Sequence, residues 1–464
     1  MPTLSKTWKS VLILLAFLAA SEFVLRGPVR FLKAVDFNDF ISPYLQSRAL
    51  ISGLDPYSPD VLVRLWPASA HPREFLAKDL ADGSLIIKRG IPTAYPLTCL
   101  LLLVPLAVLP WPVAAYAWLA INLCLVLIVI GLLFTTIGFQ RSDWRGCAFV
   151  LFSIALAPLH TGLAAGSIVI STVALCGIAW SASLRNRECM AGVLFGLAIC
   201  LKPQIGLPFL VCYLFRSRWR LSAVGVAVVS ATAALAITWL AIHGTPWIHN
   251  YEVDNKTLLS TGILGDFTER NPIRFSLINL QVLAYAGLND RLFANALALV
   301  IFAVLFGTWA FLVLRNRSTD FLLTVATIAV LSLLPVYHRF YDAFLLIFPI
   351  GWALREFSTS RRHVARGALL LTLPFLVPGG TALETLQASG LIPQVIEHSW
   401  YWVCIVMPHQ IWFLLLLSGL LLRSMCASKG ALHERSLTSQ YPTVATFTVA
   451  SPTGIRTTVP TQGI

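Results

Sequence analysis

The chain has 464 residues, 57% hydrophobic and only 12% charged, with a mean hydropathy of +0.77. Soluble domains carry about 25% charge, so this composition excludes a soluble enzyme and reads as an integral membrane protein. The formal net charge of +13 does not point to nucleic acid. Most Lys and Arg fall in short clusters between apolar runs, where they orient helices and meet anionic membrane lipids.

The amino end opens with Lys6 and Lys9 around an apolar run from Trp8 to Leu25. It resembles a signal sequence, but Glu22, Arg26 and Arg30 stand where a small-residue cleavage site would be. An uncleaved first helix with its amino end in the cytoplasm is expected. A polar segment follows from Arg26 to about Ile91, too long for a simple turn. It contains Val35-Asp36-Phe37-Asn38-Asp39-Phe40, then Tyr44, Ala49-Leu50 and Gly53-Leu54-Asp55-Pro56-Tyr57. Apolar spacing over Asp39 to Ser52 predicts a helix lying in the membrane interface. Pro56, Pro59, Pro67 and Pro72 break up the rest. The loop's nine Lys/Arg argue against an outside location on a simple count. Loops longer than about 60 residues are largely exempt from that rule, so it is placed outside.

Apolar runs then recur at about 93–112, 113–138, 146–163, 166–182, 189–215, 220–242, 291–314, 319–336, 342–355, 366–378 and 400–422. Pro203 falls inside the 189–215 run and can divide it. The expected total is about 12 spans, several of them short, as for tilted or broken helices buried in protein. Arg216-Arg218-Arg220, Arg315-Arg317 and Arg361-Arg362-Arg366 mark cytoplasmic turns. That leaves 243–290, Tyr337 to Asp342 and 379–399 on the outside with the first loop. Residues 1–426 form the membrane domain, and 427–464, rich in Ser, Thr and Pro, read as a disordered cytoplasmic tail. The nine cysteines show no CxxC pair and no zinc spacing. Neither a disulfide nor a cysteine metal cluster is expected.

Three groups of residues can carry chemistry. Aspartates near lipid are costly and are kept for use. Asp36 or Asp39 can act as a general base on a sugar hydroxyl; the plainer reading makes Asp39 a helix N-cap. Lys202-Pro203-Gln204 places a lysine at membrane depth, with no carboxylate in the ten residues after it and only Glu188 before it. It either snorkels or meets an anion such as a lipid phosphate. In Tyr337-His338-Arg339-Phe340-Tyr341-Asp342, His338 and Arg339 suit a phosphate and Asp342 can orient the histidine; the alternative is an interfacial turn with tyrosine anchors. The 243–290 loop, with Asp254, Asp266, Glu269, Arg270, Asn271, Arg274 and Asn279, can cover a sugar or be simply solvated. No Walker loop, GxGxxG or HExxH motif supports nucleotide-driven chemistry.

Taken in order, these segments resemble glycosyltransferase family 87. The resemblance runs over about residues 30–355 and rests on Asp39-Phe40, Tyr44, Ala49-Leu50, Gly53-Leu54-Asp55-Pro56-Tyr57, Tyr95-Pro96, Pro105-Leu106, Lys202-Pro203-Gln204, Arg218-Trp219-Arg220 and His338, Tyr341, Asp342. The chain departs from it at Gly166-Ser167, where the family often has Gly-Gln.

The resemblance implies an all-α polytopic membrane protein of the GT-C type with about 12 transmembrane helices. It implies an inverting hexosyltransferase, and mannose as the sugar. The donor is a polyprenyl-phosphate-linked sugar, and the acceptor is a glycan or glycolipid outside the cytoplasm. The implied base is Asp39, with Asp36 as the fallback. The implied substrate-binding residues are Lys202, Gln204, His338, Arg339, Asp342 and Tyr57, with no cofactor and no metal. The implied location is the plasma (inner) membrane, with the site on the extracytoplasmic side.

Two other readings remain. A flippase or transporter of lipid-linked sugars would show charges deep in several spans and a repeat relating its halves. An O-antigen ligase or polymerase would carry its Arg and His in a large late loop.

Overall fold

The computed structural model describes residues 6–34, 38–69, 95–140, 142–260, 265–271, 273–315 and 320–427. Asp36, Pro72 and the 428–464 stretch of the tail lie outside these residues. The chain divides into two units, Met1–Cys426 and Ala427–Ile464, and the fold below is that of the first. Among the described residues it is entirely helical, apart from an isolated antiparallel bridge between Leu277 and Arg339.

Four described helices are long and apolar enough to cross a membrane: Trp111–Ile137, Trp219–Ile242, Arg291–Arg315 and His409–Ala427. Two bent pairs raise the total to six if each is one span: Trp144–Ala155 with Ala157–Ala164, bent by 42°, and Arg362–Leu376 with Gly379–Ala388, bent by 41°. The expected total of about 12 full spans is not reached among the described residues. Most remaining apolar runs do form helices, but short ones such as Leu97–Ala107, Val169–Leu184, Glu188–Leu201, Pro203–Phe215 and Phe321–Leu331. Each falls below the roughly 20 residues a span needs.

Proline explains two of the breaks. It lacks an N–H and disfavours helical geometry in the residue before it. Lys202, before Pro203, is extended with φ −148° and ψ 92°, and there the 189–215 run divides. At the bend of the first pair Leu156 is extended, and Pro158, in the first turn after it, has no N–H to carry the preceding helix's ladder through the break.

Burial sorts the helices. Val169–Leu184 and Phe321–Leu331 are buried nearly all round, as a helix apolar on every face must be. Trp219–Ile242 and Arg291–Arg315 instead turn most of their apolar surface outward. Gly192 and Gly196, four apart, let Glu188–Leu201 approach Trp219–Ile242 closely. A Cβ at Gly192 would lie 2.5 Å from the Leu221 carbonyl oxygen, and one at Gly196 would lie 2.7 Å from Val228 Cβ.

The helix expected over Asp39 to Ser52 exists as Ile41–Ile51, but it does not lie on a surface. Nine of its side chains are buried. Ser47 donates to the Leu100 carbonyl and Tyr44 to the Leu109 carbonyl, so the helix is enclosed by the segment that follows the first loop. Its apolar spacing reflects protein contacts on several sides rather than one lipid-facing stripe.

Candidate active site

The site begins at the turn before Ile41–Ile51. The Asn38 side chain accepts from the Phe40 amide, 2.9 Å, closing an Asx-type turn. The Asp39 amide donates to the Ala165 carbonyl, 2.7 Å. Phe40 stacks on Trp118 with centroids 4.8 Å apart and planes 9° apart, and on Trp111 at 5.9 Å. Trp118 in turn donates to the Gly166 carbonyl, 2.8 Å. The segment after the bent Ala157–Ala164 helix therefore holds both the backbone of Asp39 and the aromatic wall beside it.

This geometry corrects the N-cap reading. The N-cap residue is Phe40, which makes no side-chain cap bond. The Asp39 carboxylate is used elsewhere: it accepts from the Tyr341 hydroxyl, 3.1 Å, across 302 residues of sequence.

Tyr341 belongs to the 3₁₀ turn Phe340–Leu346, which packs on Ala157–Ala164. The same turn supplies Asp342, fully buried. Lys202 Nζ reaches both its carboxylate oxygens, at 2.7 and 2.8 Å, and His338 Nδ1 lies 2.7 Å from Oδ2. His338 is also fully buried, and its Nε2 has no hydrogen-bond partner among the described residues. Lys202 Nζ lies 5.5 Å from the Tyr341 ring centroid, and the Arg339 guanidinium 5.7 Å from it. One tyrosine thus has a carboxylate at its hydroxyl and two cations over its ring.

The pairing of Lys202 is a second correction. Local sequence shows no carboxylate near it, yet its anion is Asp342, brought in by the fold. Arg339 is half-buried in the same place. Burial opposes its charge, but Tyr341, Tyr337 and Asp39 together raise its pKa above the ordinary value. Burial also pushes the Tyr337 hydroxyl up.

The remaining expected residues separate. Gln204 sits half-buried in the first turn of Pro203–Phe215 and makes no side-chain hydrogen bond among the described residues. Tyr57 belongs to a neighbouring aromatic group with Trp247 and Tyr251. It donates to the Tyr95 carbonyl, 2.8 Å. The Tyr95 side chain packs against both the cluster that contains Phe40 and the one that contains Tyr57.

Loop segments also meet here. The Ile278 amide donates to the His338 carbonyl and the Leu280 amide to the Leu334 carbonyl, each at 3.0 Å. Gln281 donates to the Pro335 carbonyl, 2.7 Å. Among the described residues no group of three His, Cys, Asp or Glu side chains could hold a metal ion.

Sequence reasoning gave Tyr341, Tyr95 and Trp118 no role in the site and marked Gly166 only as part of the departure from the family pattern. The first two stood in its motifs. Trp118 lay within an apolar run with nothing to mark it.

No curated relative and no solved structure matches the chain. The sequence model described as Glycosyltransferase family 87 matches residues 93–336, more than half of the chain. Lys202 and Gln204 fall inside that stretch, whereas Asp39, Tyr57 and the His338–Asp342 turn flank it. With a fold built of membrane-length and broken apolar helices around a buried polar cluster, this match establishes that the chain belongs to glycosyltransferase family 87, a family of membrane glycosyltransferases.

Proposed function

We propose that the protein transfers a hexose, mannose in the first instance, from a polyprenyl-phosphate donor to a glycan or glycolipid acceptor outside the cytoplasm. The observation that carries the proposal is the contact of Tyr341 with Asp39 beside the Lys202–Asp342–His338 cluster. It sets a carboxylate at one end of a buried polar site and cations at the other.

Asp39 takes the proton of the acceptor hydroxyl. The acceptor oxygen forms its bond to C1 of the sugar as the C1–O bond to phosphate breaks, with inversion at C1. Polyprenyl phosphate leaves carrying the electron pair of that bond. Its developing charge needs fixed cations in a dry setting. Arg339 supplies one. Lys202 is already neutralised by Asp342, so its part is shared between the donor and the ion pair. The unpartnered Nε2 of His338 offers a further contact to a phosphate oxygen.

The test is transfer by the purified chain from polyprenyl-phosphate-mannose and polyprenyl-phosphate-glucose to a panel of glycans. Asp39→Asn and Asp36→Asn are compared. Loss in the first with retention in the second supports Asp39 as base. The reverse moves the role to Asp36. A parent chain that transfers neither sugar, but moves lipid-linked sugars across vesicles, would instead favour the flippase reading.

A further inference from the structure

A second polar and aromatic group lies beside the Asp39 site. Gly53 adopts φ +66°, which places the Gly53–Tyr57 turn against the helix Trp247–Ser260. Trp247, Asn250, Tyr251 and Asp254 recur at three- and four-residue spacing, so they share one face of that helix. The face meets the turn through its rings: Tyr57 lies 4.9 Å from Tyr251 and 6.2 Å from Trp247, centroid to centroid. It also meets the turn through polar groups. Asn250 Nδ2 donates to Asp55 Oδ2, 2.6 Å, while Asp55 Oδ1 accepts from the Tyr57 amide, 2.9 Å.

The group is not sealed. Trp247, Asn250, Tyr251 and Asp55 are all half-buried, while Tyr57 and Asp254 are covered. It also connects towards the Asp39 turn: the Tyr57 hydroxyl holds the carbonyl of Tyr95, whose side chain packs against the cluster that contains Phe40.

We propose that Trp247, Tyr251, Asn250 and Asp55 form a subsite for the acceptor sugar. This rests on the glycosyltransferase reading and extends it to the second substrate. A pyranose has an apolar C–H face and a rim of hydroxyls. Aromatic rings bury the first with little loss of side-chain freedom, and a carboxylate with an amide supplies both acceptors and donors to the second. Ligand sites combine an aromatic lining with a few placed polar groups in this way. Tyr95 packs against both the Tyr57 group and the Phe40 cluster next to Asp39, whereas the cations lie over the Tyr341 ring. The groups offered to the acceptor and those offered to the phosphate thus come from different elements. The plainer occupant is the lipid interface, where Trp and Tyr gather as anchors.

The full chain in detergent is tested for saturation transfer in NMR to methyl α-mannopyranoside and methyl α-glucopyranoside. The parent should saturate one or both sugars. Trp247→Leu and Asn250→Ala should each weaken binding by up to roughly tenfold, the loss expected of one ring contact and of one hydrogen bond respectively. Trp247→Phe should recover most of the signal, and Ile248→Ala, an exposed neighbour, should keep it. Absence of saturation in the parent, or parent-like binding in both variants, overturns the subsite. A shift in vesicle affinity alone, with sugar binding unchanged, assigns the rings to the interface and overturns it too. In transfer assays the variants should raise the acceptor KM and leave the donor KM in place. A parent that binds sugar but transfers none from any polyprenyl-phosphate donor refutes the proposed reaction and leaves the binding result standing.

Discussion

Lys202 and Asp342, 140 residues apart, form a two-pronged ion pair with Nζ 2.7 and 2.8 Å from the carboxylate oxygens. Asp342 is fully buried and Lys202 nearly so. Breaking a buried pair from one side leaves an uncompensated charge, which costs about 3–5 kcal/mol. Lys202→Met and Asp342→Asn should each lower the thermal transition in detergent, and the double variant should be more stable than the sum of the two losses predicts. Additive losses in that cycle would show that the two residues act separately. Reduced donor affinity in Lys202→Met counts as a phosphate contact only where stability is retained, because the lysine also holds the Phe340–Leu346 turn.

The Tyr341 hydroxyl and the Asp39 carboxylate make the second testable contact. Asp39→Asn keeps the size and loses the basicity, so turnover should fall at least about 10²-fold with normal expression. Tyr341→Phe removes only the hydrogen bond and should fall less, with kcat affected before KM. Equal losses in both would mean that the tyrosine takes part in proton transfer.

Gly166 has φ +65° and faces Asn38, with Oδ1 3.1 Å from where a Cβ would sit. An L side chain in this region costs about 1–2 kcal/mol. Gly166→Ala should therefore destabilise modestly and, by pressing on Asn38, displace the neighbouring Asp39. The expectation is a kcat reduction larger than the small loss in thermal stability would account for. Full activity would show that the 38–40 turn accommodates the change.

Topology is testable at the loop before the site. His338 is fully buried, so a cysteine there would stay silent whichever side it faces. Val336, 45% exposed, is the better position. Val336→Cys should react with a membrane-impermeant thiol reagent in intact cells. Reaction only in inverted vesicles would place the site on the cytoplasmic side.

Composition and apolar runs by themselves determined that this is a helical membrane protein, because desolvation of charge and of backbone leaves such a sequence few other solutions. The break at Lys202-Pro203 was legible for a local reason: proline acts on its own neighbours. Resemblance also pointed to Asp39, His338 and Asp342 as functional positions. The number of full spans was not legible, since a run of apolar residues does not state whether lipid or protein will surround it. Ile41–Ile51 shows this, carrying a pattern that reads as interfacial while protein covers it. Partnerships were hidden for the same kind of reason. Nothing near Lys202 in sequence announces Asp342, and nothing near Asp39 announces Tyr341, because tertiary packing chooses which distant polar groups share a dry site. There each buried charge must find an opposite one or be expelled, and only the folded chain decides which.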